Sequence, residues 1–268
     1  MKPKSKQINL VLSGTGAMYP VHAGAVCALM DLGYTFKALS GTSGGAIIAT
    51  AIAGGVSRDR LKRSVIDYNP WRILFKNPQF PFGKGWGVYN NKPIETILDR
   101  FGGDITFEQS PIPINIIATQ LIPTYSKFLF NKMNTPDVSL SEACRISSTI
   151  PILFQAIKYK GSTFIDGTFA DNLHIDPYRN EFENTIAICV KVRSMANPNT
   201  FWQYLKSCLS MIITGQGAYN YIPDNLTFIP IDIHNYTVPL KFNLSRKDRH
   251  KLFEAGYNAV MFDLTNKE

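Results

Sequence analysis

The sequence predicts an α/β protein built on a mostly parallel sheet, and three observations carry that prediction. An apolar run at residues 8–12 (Ile-Asn-Leu-Val-Leu) enters a glycine-rich loop, Ser13-Gly14-Thr15-Gly16, which leads into a helical pattern. A second apolar run (Phe36, Ala38, Leu39) enters Gly41-Thr42-Ser43-Gly44-Gly45, and the small residues at 46–53 that follow also read as a helix. Further apolar runs at 112–119, 185–192 and 226–231 alternate with helical segments, as strands do when helices cross between them.

In chain order, residues 8–12 read as a buried first strand. Val21, Ala25, Leu29 and Leu32 keep helical spacing, with Ala28 beside them, and Gly33 stops the helix. A glycine loop between a first strand and a helix suggests a dinucleotide or phosphate site, but the details fail. Tyr19 stands where a small residue is required, and no acidic residue follows about 20 positions on. No G-x-x-x-x-G-K-[ST] sequence occurs either. The loop suits an oxyanion hole, because glycines let backbone N–H groups converge on one point. In a parallel sheet it would emerge at the same carboxyl edge as the turn at 41–45.

That turn is a G-x-S-x-G sequence in the strand–turn–helix context of a nucleophile elbow. The elbow holds its serine in a strained conformation, so the residues two before and two after must be very small, and Gly41 and Gly45 are. Ser43 then stands at a helix N-terminus, where unpaired N–H groups and the helix dipole favour negative charge.

The stretch Leu-Val-Leu-Ser-Gly-Thr-Gly-Ala-Met-Tyr-Pro-Val-His-Ala-Gly-Ala-Val, followed by Ser-Gly-Thr-Ser-Gly-Gly-Ala-Ile, resembles the opening of the patatin-like phospholipases. Gly14 and Gly16 match the first two glycines of that family's loop, and His22 and Gly24 match its helix start. Met18 stands where a basic residue is usual, and Tyr19 where a third glycine is usual. The resemblance implies a three-layer α/β/α fold with a central mostly parallel sheet, its nucleophile elbow set between a strand and a buried helix. It also implies an oxyanion hole from the backbone around Gly14, Thr15, Gly16 and Gly44.

Across 57–84, Arg58, Arg60, Lys62, Arg63, Arg72, Lys76 and Lys84 oppose only Asp59 and Asp67. Trp71, Phe75, Phe80, Phe82 and Trp86 interleave with them. This basic, aromatic segment at about 57–90 reads as an irregular insertion: a lid lying on a lipid interface, a stacking surface for single-stranded nucleic acid, or a loop with its aromatics in the core. Residues 92–101 read as a helix ended by Gly102-Gly103, 112–119 as a core strand, and 125–130 as a second strand after a turn at Pro123. Ser139 opens a helix running to about Ser148, with Glu142 as capping-box partner.

Thr163-Phe-Ile-Asp166-Gly167-Thr168 reads as a strand ending in an ordinary Asp-Gly turn. Under the resemblance it matches the family's D-G-[GA] motif, which supplies the second catalytic residue. Thr168 replaces the usual Gly or Ala, and Asn172 and Leu173 match residues found just downstream. Beyond it come a strand at 185–192, a helix at 200–213, a strand at 226–231 and a terminal helix at 245–262 with Leu252, Ala255, Ala259 and Phe262 on one face. No repeat or linker divides the chain, so 1–268 reads as one domain.

The net charge of +8 and pI near 9.2 suggest an anionic partner, either nucleic acid or a lipid surface. Cys27, Cys144, Cys189 and Cys208 form no C-x-x-C pair and read as free thiols; with the four histidines they offer no metal-ligand spacing. No 18-residue apolar stretch is present, and the first apolar run is too short for a signal peptide. The expectation is a cytoplasmic protein without metal or cofactor, in peripheral contact with an anionic membrane, with a lipid as substrate and no nucleic-acid partner.

The reaction these residues imply, read with the resemblance, is hydrolysis of a lipid acyl ester. Ser43 attacks the carbonyl and Asp166 takes its proton in place of a histidine. A carboxyl titrates near ~3.9 in water, so burial must raise it for this task. Two alternatives stay open: a Ser-His-Asp esterase using His174, His234 or His250, and a binding module with a degraded site, suggested by Met18, Tyr19 and Thr168.

Overall fold

The computed structural model describes residues 2–68, 78, 86–192, 199–213, 222–233 and 240–266, with 202, 206 and 213 described by their backbone alone. β1 (Gln7–Leu12) leads through a short 3₁₀ turn (Gly16–Met18) into α1 (Tyr19–Asp31), followed by β2 (Thr35–Thr42), α2 (Gly44–Ala53) and α3 (Arg58–Asp67). Next come β3 (Gly87–Tyr89), α4 (Lys92–Asp99), the hairpin of β4 (Ile114–Ile122) and β5 (Ser126–Phe130), α5 (Leu140–Ser147) and β6 (Ile152–Phe154). A second hairpin, β7 (Ile157–Tyr159) and β8 (Ser162–Ile165), precedes β9 (Thr185–Val192), α6 (Phe201–Ile213), β10 (Thr227–Ile233) and α7 (Arg246–Thr265).

Among the described residues eight strands form the main sheet in the order β10-β9-β1-β2-β4-β8-β7, with β5 also on β4; β3 and β6 make a separate parallel pair. β10, β9, β1, β2 and β4 run parallel, so the α/β class and mostly parallel sheet are as expected. Strands covered on both faces need apolar residues in unbroken runs, and β1 and β9 have them. Ile8, Leu10 and Leu12 face the helices, whereas Val11 and Ala187 join Leu173, Tyr178 and Leu226 on the other face. Among the described residues that second face carries short 3₁₀ turns, Asp176–Tyr178 and Phe182–Asn184, rather than long helices.

The site is positioned by β4. β5 pairs with its residues 116–120 on one edge. The opposite edge is shared: β2 pairs in parallel with residues 114–117, and β8 pairs antiparallel with 119–122. β2 and β8 therefore meet end to end, and the residues just beyond them, Ser43 and Asp166, are brought together by strand pairing alone.

On the helical face, α1 and α7 cross at two glycines. A Cβ on Gly24 would lie 1.9 Å from the Phe253 carbonyl oxygen, and one on Gly256 would lie 1.9 Å from that of Val21. This crossing corrects the expected face of the last helix. Leu252, Phe253, Gly256, Val260 and Leu264 are buried, Ala255 and Ala259 are half-buried, and Phe262 is exposed. The contact row runs through a glycine, which carries no apolar signal. Ser245 caps this helix, its hydroxyl accepting from the Asp248 N–H while Asp248 accepts from the Ser245 N–H.

The basic stretch is also corrected in its first part. Residues 58–67 form α3, which buries Leu61, Val65 and Ile66 while Arg58 pairs with Asp31. Residues 69–77 and 79–85 of the lid candidate, with Trp71, Phe75, Phe80 and Phe82, lie outside the described residues, whereas Trp86 is exposed just before β3. No helix of the described residues is long and apolar enough to cross a membrane.

Gly256→Ala places a methyl group inside the α1–α7 contact and should lower unfolding stability by roughly 3 kcal/mol. Thermal or urea denaturation checks this; an unchanged midpoint would mean the helices do not pack as closely as described.

Candidate active site

Ser43 caps α2 with φ 50° and ψ −118°, a positive-φ conformation that costs a serine about 1–3 kcal/mol. Three anchors hold it there. Its N–H donates to Ser147 Oγ at 2.9 Å, its carbonyl accepts from Ile47 at 3.2 Å, and its hydroxyl donates to Asp166 Oδ2 at 2.7 Å. Both Ser43 and Asp166 are buried.

Two glycines bring the elbow against the first loop. A Cβ on Gly45 would lie 2.4 Å from the Leu12 carbonyl oxygen, and one on Gly44 would lie 2.3 Å from Thr15 Oγ1 and 2.9 Å from the Gly16 carbonyl oxygen. A Cβ on Gly41 would lie 2.8 Å from the Cα of Ala46, the first residue after the elbow. The expected loop and elbow therefore form one site. Among the described residues the N–H groups of Thr15, Gly16 and Gly44 donate to no protein acceptor. Gly14 differs: its N–H is committed to Asn172, at 2.7 Å from Oδ1, so it shapes the loop rather than offering a donor. His22 braces the same loop. Its Nε2–H donates to the Ser13 carbonyl at 2.8 Å, and burial pulls its pKa down to about 4, so it is neutral. Met18 and Tyr19 are buried, and the loop passes through them into α1.

Asp166 is held as closely. Its N–H donates to the Thr149 carbonyl at 2.8 Å, and its own carbonyl accepts from Thr119 Oγ1 at 2.7 Å. Its Oδ1 accepts from the N–H and hydroxyl of Thr168, at 3.0 and 2.7 Å. The threonine that departs from the expected motif thus adds a hydrogen bond to the carboxylate. Gly167 lets this turn lie on the Ile117 carbonyl, 2.1 Å from where a Cβ would be. Burial raises the Asp166 pKa to about 6, against the opposing pull of the hydrogen bonds from Ser43 and Thr168.

Neither described downstream histidine bonds to Ser43. His174 Nδ1 lies 2.7 Å from Asp171 and 3.3 Å from Lys127 Nζ. His250 lies 3.4 Å from Glu254 on α7, and His234 falls outside the described residues. Asp171, His174 and Asp176 cluster closely enough to bind a cation, but Lys127 stands among them, 3.0 Å from Asp171 and 3.6 Å from Asp176.

An apolar pocket begins one turn beyond Ser43. It lies among α2, α3 and α4, with Tyr19, Ile47, Ala51, Leu61, Val65 and Ile94 in its wall. Sequence reasoning missed this pocket, the backbone carbonyl of Thr149, and Ser147 and Thr119, whose short polar side chains carry no signal without a fold to place them.

Fold and site together put the chain among α/β proteins that carry a serine at a strand–helix elbow. The sequence model described as patatin-like phospholipase matches residues 10–178, well over half of the chain, and the chain belongs to that family. An uncharacterised protein of Acanthamoeba polyphaga mimivirus is 27% identical over 276 residues, covering 94% of this chain and 92% of that protein. A protein of Invertebrate iridescent virus 6 named a probable lipid hydrolase is 26% identical over 188 residues, 66% of this chain and 64% of its own. The crystal structure of VipD from Legionella pneumophila superposes with a TM-score of 0.65 at 13% identity, covering 98% of this chain and 68% of VipD.

The raised pKa has a consequence for stability. The Asp166 carboxyl stabilises the fold most below its ordinary value of 3.8, where it is protonated whether folded or not, and that contribution is lost as the pH rises through about 6. Asp166→Asn should therefore be about 1–3 kcal/mol more stable than wild type at pH 8, with the gap closing towards pH 4. Denaturation at the two pH values tests this, and a gap independent of pH would contradict it.

Proposed function

We propose that this protein is a lipid acyl hydrolase cleaving carboxylic esters of phospholipids or related lipids through Ser43 and Asp166. The observation that carries the reading is the buried 2.7 Å hydrogen bond from the Ser43 hydroxyl to Asp166 Oδ2, beside unpaired loop and helix N–H groups. In this reading Asp166 accepts the serine proton as Oγ attacks the ester carbonyl, forming a tetrahedral oxyanion. The N–H groups of Thr15, Gly16 and Gly44 stabilise that charge. Collapse expels the alcohol, protonated by the Asp166 carboxylic acid, and leaves an acyl-enzyme. Water then attacks this intermediate with Asp166 again as base, restoring both groups. A pKa near 6 suits both duties, because the carboxylate is ionised at neutral pH yet basic enough to accept a proton.

Family membership and the name of the iridescent virus relative support a lipid ester as substrate. So does the apolar pocket, which in this reading receives the acyl chain along α2.

Ser43→Ala should abolish hydrolysis of a p-nitrophenyl acyl ester, and Asp166→Asn should reduce it by about 10³-fold or more. Full activity in either purified, folded variant would overturn the dyad. The acid limb of kcat/KM should fall near pH 6, since the free enzyme needs Asp166 ionised. Thr168→Val, which removes a hydrogen bond to the ionised form, should move that limb upward. Ala51→Phe narrows the pocket and should depress kcat/KM for a long-chain ester at least tenfold more than for a butyrate ester; equal losses would place the acyl chain elsewhere.

A further inference from the structure

α6 leaves a row of apolar side chains in solvent. Phe201, Tyr204, Met211 and Ile212 share one helical stripe and all are exposed, Tyr204 at 58% and Met211 at 52%. Half a turn away from Phe201, Ser210 is buried. An amphipathic helix on a protein surface ordinarily does the reverse. Single exposed apolar residues need no explanation, but a continuous stripe marks an interaction surface.

The stripe has a neighbour. β4 runs five residues beyond the point where β2 ends beside Ile117, so the β4–β5 hairpin extends past the carboxyl ends of the parallel strands. Its tip exposes Leu121, Ile122 and Tyr125. Both features border one turn, Gly167–Phe169, directly after Asp166. α6 packs against that turn, and the Tyr125 hydroxyl donates to the Phe169 carbonyl at 2.6 Å. The adjoining β7–β8 hairpin carries Lys158 and Lys160, both exposed. Across 121–127, 157–163 and 199–213 the sequence holds Lys127, Lys158, Lys160 and Lys206 and no Asp or Glu. Lys127 is engaged by Asp171, which leaves Lys158 and Lys160 as the exposed positive charge beside the hairpin.

We propose that α6 and the β4–β5 hairpin form a docking face for an anionic lipid surface, which lays the Asp166 side of the site against the membrane. Apolar side chains rimmed by lysines are what an interfacial element presents to headgroups and acyl chains. The lysines and the missing carboxylates favour this occupant over a protein partner. The proposal rests on the lipid-ester reading for its purpose, but its test does not depend on catalysis.

The test uses the full chain carrying Ser43→Ala, so that lipid is not consumed, sedimented with phosphatidylcholine vesicles with and without phosphatidylserine. Binding should be markedly stronger to the serine-containing vesicles. The additional pair Tyr204→Asp and Met211→Asp should weaken binding about tenfold or more, and so should Ile122→Asp on the hairpin. In the otherwise wild-type chain, the same substitutions should leave hydrolysis of a short, monomeric p-nitrophenyl ester unchanged, which shows that the fold is intact. Undiminished vesicle binding in both variants would overturn the proposal. So would a concentration-dependent dimer that the variants dissociate without altering vesicle binding, since the stripe would then be a protein interface. Failure of the hydrolase reading would appear separately, as ester hydrolysis that survives Ser43→Ala.

Discussion

The site depends on one shared edge. Residues 114–117 of β4 take β2 in parallel, and residues 119–122 take β8 antiparallel, so two strands of opposite direction end facing each other. A purely parallel sheet delivers the ends of its strands side by side along one edge, each followed by a helix or loop. Here the change of direction brings Asp166 to Ser43 from the other side and closes the hydrogen bond between them without a long connecting loop. The polar residues around the junction serve the same geometry: Thr119 and Thr149 hold the backbone of Asp166, and Ser147 holds the backbone of Ser43. A slip of one residue in the β4–β8 register would turn Asp166 to the opposite face of the sheet.

Placing a carboxylate in that junction is costly, and the structure meets the cost in part. Three hydrogen bonds reach the Asp166 oxygens, from Ser43 and twice from Thr168, yet burial still raises its pKa to about 6. In the proposed reaction this balance is functional. Fewer hydrogen bonds would leave the group protonated at neutral pH, and a cation beside it would make it too weak a base. Ser43 adds its own strain through a positive φ. The two residues proposed to react are thus among the least comfortable in the fold, as expected where local preference gives way to function.

Much of this was legible in the chain. The strand–glycine loop–helix at 8–32 and the strand–elbow–helix at 36–53 stand where their patterns place them, because apolar runs, helical spacing and glycines are local signals. Asp166 was legible only through resemblance, since an Asp-Gly turn says nothing of what it faces until β8 is paired with β4. Three features were hidden for distinct reasons. The contact row of α7 runs through Gly256, so hydropathy pointed to Phe262, which is exposed. α3 hides a buried row of Leu61, Val65 and Ile66 within a stretch whose charges suggested an irregular insertion. Gly14 looked like an oxyanion donor until Asn172, 158 residues away, was seen to take its N–H.

Ser43 stands between two apolar features of opposite character. The pocket along α2 is bounded by Tyr19, Ile47 and Ala51 and lies on the helical side, continuous with the core. The stripe of α6 and the tip of β4–β5 lie beyond Asp166 and face solvent. An apolar pocket can take a chain out of water, whereas an exposed apolar rim can only give up its own contact with water by meeting another surface. In the proposed reaction these two features divide a lipid ester at its carbonyl. The acyl portion follows α2 inward, and the alcohol portion stays on the side of Asp166, which must return a proton to it. In that reading the proposed base lies on the β8 side of the serine and the proposed acyl pocket on the α2 side, with the reacting carbonyl between Gly44 and the glycine loop.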